Sequence, residues 1–120
     1  MGCDIHTFSE VKINGTWHLY NQPDVGRYYE LFGKLAGVRS TIKPIVAPRG
    51  FPQDASLITK MENDYWGAEG HTHSWLTEKE LDKIKQWLGE DGQTMEQVFG
   101  WELFPHYEVE DKRLVFWFDN

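Results

Sequence analysis

Cysteine is almost missing from this chain. Cys3 is the only thiol in 120 residues, so no disulfide can form within the chain. Nor does any apolar run approach the ~20 residues that a membrane-spanning helix needs. The N-terminus lacks the basic-then-apolar order of a secretory leader, and His6 stands where the myristoylation pattern asks for Ser or Thr. Basic residues are scarce too: Lys and Arg number 12 against 19 Asp and Glu, for a net charge of −7. An acidic chain repels polyanions, which argues against binding to duplex DNA or to an anionic membrane. PRGFPQDAS lacks the GK[ST] of a P-loop, and neither HExxH nor G-x-S-x-G occurs. The expectation is a soluble protein of a reducing, cytoplasmic compartment. No catalytic residue is singled out, and whether the protein is an enzyme stays open.

Aromatic residues, in contrast, are abundant. Six Trp and seven Phe contribute to an aromatic content of 15%, and each buried ring removes roughly 150–250 Å² from water. One packed domain spanning residues 1–120 is expected. Asn14-Gly15 is the strongest short-range signal for a hairpin turn. It sets Val11 opposite His18 and Lys12 opposite Trp17. Alternation then puts Asp4, His6, Phe8, Trp17 and Leu19 on one face, with Cys3, Ile5 and Val11 on the other. Tyr28, Leu31, Phe32 and Leu35 recur at helical spacing, predicting a helix over 27–36. Asp54 is positioned to cap a short helix whose apolar residues are Leu57, Ile58 and Met61. Thr77 to Glu80 forms a capping box with Leu76 and Leu81 at the staple positions, and Thr94 to Gln97 repeats the box. RLVFWF is almost continuously apolar, which predicts a central strand buried on both faces, with YEVE (107–110) as its hairpin partner. The fold class is α+β: a mostly antiparallel sheet containing the N- and C-terminal strands, with two or three helices packed on it.

Two histidine pairs and three arginines carry the chemistry. Asp4 and His6 share a strand face, roughly 6.5–7 Å apart by strand rise. His71 and His73 repeat the spacing in a loop before a helix. If both segments are extended, Asp4, His6, His71 and His73 offer N and O ligands for Zn or Mn and leave a position open. Arg27 sits at a predicted helix start, where a cation opposes the dipole and needs a partner. Arg39 follows that helix, and Arg49 lies in the stiff turn PRGFP. Guanidinium forks beside aromatic and imidazole rings are the chemistry of phosphate and base recognition. Cys3 points away from Asp4 and His6, so it reads as a small buried hydrophobe rather than a nucleophile.

MGCDIH, RYYELFGKLAGVR, PRGFPQDAS, HTHSWLT and VFWFDN together resemble a family of small proteins of tailed bacteriophages and prophages that open with MGCDIH. The resemblance spans nearly the whole chain. Its polar motif positions fall here on Cys3, Asp4, His6, Arg27, Arg39, Arg49, Asp54, His73, Ser74 and Asp119. Tyr28 departs from the Asn of many relatives. The resemblance implies a location in the cytoplasm of an infected bacterium and, by analogy with accessory phage genes, a counter-defence role. The leading expectation is a pocket for a small anionic, nucleotide-like ligand. Arg27, Arg39 and Arg49 would bind phosphate, His6, His73 and Asp54 the polar edges, and Trp75 or Tyr29 would stack. A metal-dependent hydrolase of a phosphoester or nucleoside derivative is the first alternative. An acidic, aromatic inhibitor of a host enzyme, acting through Glu108 and Glu110, is the second. Self-association into a homo-oligomer is left open. In each pocket reading His6 and His73 are expected to meet, with Asp119 joining them and PRGFPQDAS as wall or lid.

Overall fold

A computed structural model describes residues 2–120. The N-terminal hairpin forms as its turn signal requires. β1 (Asp4–Ile13) and β2 (Thr16–Asn21) pair with Val11 opposite His18 and Lys12 opposite Trp17. Asn14 and Gly15 both take positive φ, 51° and 78°, the geometry of a two-residue type I′ turn. α1 (Tyr29–Ala36) ends at Gly37 in the left-handed conformation. It begins two residues later than the periodicity suggests, leaving Arg27 outside the helix. α2 (Leu57–Trp66), β3 (His71–Thr77), α3 (Glu78–Glu90), α4 (Met95–Phe99) and β4 (Asp111–Asp119) follow. Both predicted capping boxes close, at Thr77–Glu80 and Thr94–Gln97.

The four strands form an antiparallel sheet in the order β2-β1-β4-β3. β4 lies beside β1 with Asp4 opposite Asp119 and Glu10 opposite Arg113. Every residue from Arg113 to Phe118 is buried, because both faces of the sheet are covered. Leu114, Phe116 and Phe118 pack with Cys3 and Ile5 against Leu31, Phe32 and Leu35 of α1 and Leu81, Ile84 and Leu88 of α3. On the opposite face Val115 and Trp117 pack with Phe8 beneath Phe51 and Trp66. The irregular 47–56 segment and α2 cover that second face.

Three expectations are corrected. YEVE is not a strand; its Glu110 instead accepts the backbone N–H of Asn14 and Gly15, holding the hairpin turn. Glu110 thus has a structural role as well as an exposed position. The histidine segment is an edge strand rather than a loop, and Arg49 and Gly50 donate backbone N–H to Ser74 Oγ and the His73 carbonyl along it. Ser56, not Asp54, caps α2. That helix buries Thr59, while Leu57, Ile58 and Met61 face outward.

Polar forces turn α2 this way round. Glu10 is fully buried on the sheet, and its Oε2 accepts from Ser56 N and Thr59 Oγ1, both at 2.8 Å. Its Oε1 accepts from Arg113 Nε at 2.9 Å. A buried carboxylate must be satisfied by such donors, so the N-terminus of α2 is drawn down by its polar residues. Replacing Glu10 by Gln removes the buried counter-charge of the guanidinium and leaves it only Asp54, an exposed carboxylate. The expected loss is about 3 kcal/mol or more, read as a fall in thermal midpoint of roughly 10 °C; an unchanged midpoint would show that the pair does not hold the layer.

Candidate functional site

The row of aromatic side chains across the sheet decides what the histidines do. His6 on β1 and His73 on β3 flank Trp117 of β4, with ring centroids 6.0 and 5.6 Å from the indole. The two ends of the chain do meet, but Trp117 stands between the imidazoles, so they share no cleft. Trp66 lies 4.3 Å from the His6 ring, and Phe51 packs edge-on to both His73 and Trp117. The PRGFPQDAS segment thus forms a wall, as expected, but it fills the space that a ligand would need. His6 Nε2 is 2.5 Å from Asp119 Oδ2. His73 Nε2 is 2.8 Å from Asn63 Oδ1, an acceptor, so this nitrogen carries the proton. Burial, with a smaller contribution from His71, lowers the His73 pKa. His73 is a neutral, hydrogen-bonded, half-buried ring.

The four expected metal ligands are held apart. Asp4 takes a forked contact from Arg27, at 2.8 and 3.3 Å. His71 and His73 do not project together, because β3 carries an extra residue between His71 and Ser74, and Thr72 has φ +55°. This bulge reverses the alternation. His71 turns to the opposite face, stacks on Phe118 and bonds Asn120. Among the described residues no group of three or more His, Cys, Asp or Glu is placed to hold a metal ion. Cys3 is fully buried, and that burial pushes its thiol pKa up, consistent with a packing role.

The arginines do not converge. Arg27 is spent on Asp4, whose pKa the guanidinium lowers. Arg39 lies 5.8 Å from the ring of Tyr29, and Tyr29 Oη accepts the backbone N–H of Cys3, so Tyr29 belongs to the N-terminal end of the sheet. Arg49 binds both oxygens of Glu80, at 2.7 and 2.6 Å, donates to the Trp75 carbonyl, and lies 4.2 Å over the Trp75 indole.

An open cleft of about 590 Å³ lies instead at the far end of the same sheet face, where Asp54 and Trp75 are. Six residues along β1 separate His6 from Lys12 at its edge, about 20 Å by strand rise. Trp17 and Trp75 line it from β2 and β3, Arg113 from β4, and Gln53 and Asp54 from the covering segment. Lys12 adds a cationic group and Asp111 an opposing one, while the Lys112 ammonium is bonded to Glu78 Oε2 at 3.2 Å. Arg113 is the residue that the sequence hid inside an apolar strand. Its guanidinium lies 3.9 Å from the Trp17 ring, and its Nη1 donates to Asp54 at 2.9 Å. Burial tends to raise the Asp54 pKa, but the hydrogen bond and charge of Arg113 outweigh it and the net shift is downward. Arg113 Nη2 is within 2.8 Å of Glu10 Oε1 yet is not aligned for a hydrogen bond, and it has no other acceptor. That nitrogen is shielded from solvent, so it sits against Glu10 behind the wall of the cleft.

No protein-family model, curated protein or solved structure matches the chain.

Two outcomes separate packing from ligation. His73→Ala removes the Asn63 contact and uncovers Trp117, so it is expected to lower stability by about 1–3 kcal/mol while leaving the Lys12–Arg113 cleft unchanged; a variant of wild-type thermal midpoint would count against this reading. Glu80, held by Arg49, has its pKa lowered to about 2 from 4.5. Its stabilisation is complete above pH 4.5 and lost as the pH falls towards 2, because the unfolded chain takes up the proton first. Glu80→Gln should flatten the stability-pH curve in that window, followed by chemical denaturation at stepped pH.

Proposed function

We propose that the protein binds a small, planar, acceptor-rich ligand of nucleotide-like character in the cleft between Trp17 and Trp75. The observation that carries this reading is one open cleft that brings together Arg113, Lys12 and the two indoles Trp17 and Trp75. A phosphate or carboxylate group would be drawn to the Lys12 ammonium at the mouth, with the Arg113 guanidinium behind it. Indole edges and faces on two sides suit a flat ring, and Gln53 and Thr77 offer hydrogen-bonding groups to its rim. A volume of about 590 Å³ is in the range of small-ligand pockets. Of the residues first nominated for this role, Asp54 and Trp75 line the cleft, and Arg49 acts through its grip on the Trp75 strand.

In the phage setting that the motifs resemble, such a ligand would be a host signalling nucleotide, and the protein would act by sequestering it. Binding alone accounts for the arrangement, and no bond-making step is assigned to it. The hydrolase alternative lacks support, because its proposed ligands are each engaged elsewhere.

Calorimetry with mono-, di- and cyclic nucleotides tests the proposal. At least one class should bind, and binding should weaken as salt rises, since charge contributes. Gln53→Trp, on the exposed covering segment, should fill the cleft and weaken binding more than tenfold with little change in thermal midpoint. Lys12→Glu should weaken it severalfold. Silence across the whole panel, or a Gln53→Trp variant that binds as well as the parent, would sink the proposal.

A further inference from the structure

On the loop after α4, which contributes no residue to the cleft, the chemistry has the opposite sign. Trp101 is 81% exposed, a large apolar surface with no packing role of its own. It lines a cavity of about 540 Å³ together with Met95, Glu96, Glu102, Phe104 and His106, and no lysine or arginine is among the lining residues. A second cavity, of about 400 Å³, also includes Trp101 and Glu96. The indole is therefore accessible beside two hollows that share a carboxylate.

The loop is built to present it. Gly100 and Glu102, on either side of Trp101, both take positive φ, 82° and 58°. For Glu102 that conformation is costly, and it is held from β2: the Glu102 carbonyl accepts from Asn21 Nδ2 at 3.2 Å, and its Oε2 accepts from Tyr20 at 3.4 Å. Phe104 and Met95 are half-buried against the main core, giving the cavity a firm floor.

An aromatic plate with two carboxylates and no competing cation is a receptor for an organic cation. We infer that the Trp101–Glu96–Glu102 hollow receives a lysine or arginine side chain presented by a basic segment of another protein. A protein source fits because a projecting Trp is the usual anchor of a protein interface, and because the net charge of −7 steers basic partners toward the molecule. This site stands or falls independently of the anion cleft.

The test uses the full chain and short acetylated, amidated peptides carrying one Lys or one Arg, each with a norleucine twin. Binding is followed by the NMR shift of the Trp101 indole N–H, assigned with Trp101→Phe. The cationic peptides should shift that signal and bind at least fivefold more tightly than their twins. Glu96→Gln with Glu102→Gln should weaken binding about fivefold or more, and Trp101→Ala, followed instead through the backbone amide shifts of residues 95–106, should abolish it, with the amide spectrum outside that loop unchanged in both variants. Equal binding of the norleucine twins would overturn the inference by making the hollow merely apolar. No shift with either cationic peptide at millimolar concentration would also overturn it. Tetramethylammonium binding as tightly as the peptides would overturn the protein source, assigning the hollow to a free small cation.

Discussion

The buried pair between Glu10 and Arg113 is the constraint on which this structure turns. Two charged groups in an apolar interior are expensive to desolvate, and the pair is tolerated only when further donors and acceptors satisfy them. Here those partners come from three places: Ser56 and Thr59 at the start of α2, Asp54 just before it, and the Trp17 ring in β2. One ionic contact between neighbouring strands thereby fixes the second layer of the molecule. It also explains why α2 leaves Leu57, Ile58 and Met61 in solvent: the polar residues around its cap are needed underneath.

The same pair gives the cleft its character. Glu10 and Asp54 share the guanidinium, and Arg113 lines the cleft with two indoles nearby. At the opposite end of the face, Trp117, Trp66 and Phe51 leave no comparable room, and the histidines there are satisfied by Asp119 and Asn63. One sheet face thus has a packed end around Trp117 and an open end around Arg113. The exposed indole and carboxylates around Trp101 form a region of different chemistry.

Much of the framework was legible in the residues. Asn14-Gly15 specifies its turn through the positive φ that both positions require. The Thr77 and Thr94 boxes specify helix starts because each side chain answers an unsatisfied backbone N–H. RLVFWF reads as a strand covered on both faces because a continuous apolar run has no solvent side. These signals put both terminal strands in one sheet; that β4 lies beside β1, and hence the His6–Asp119 contact, is set by the tertiary pairing. The one-residue bulge at Thr72 did not: it sends His71 and His73 to opposite faces, and nothing in a period-2 reading anticipates a residue that breaks the period. Arg113 was passed over because an arginine heading an apolar run resembles a strand terminus, and its partner Glu10 is 103 residues away in the chain.

What the sequence by itself determined is local: turns, caps, strand and helix periods, and the presence of two apolar strand faces. Each depends on interactions within a few residues, so the residue types suffice. What only the tertiary structure decided is which polar groups find one another. Arg27 with Asp4, Arg49 with Glu80 and Arg113 with Glu10 are pairings between distant segments. The position of the cleft follows from such long-range packing, because the segments that line it come from both ends and the middle of the chain.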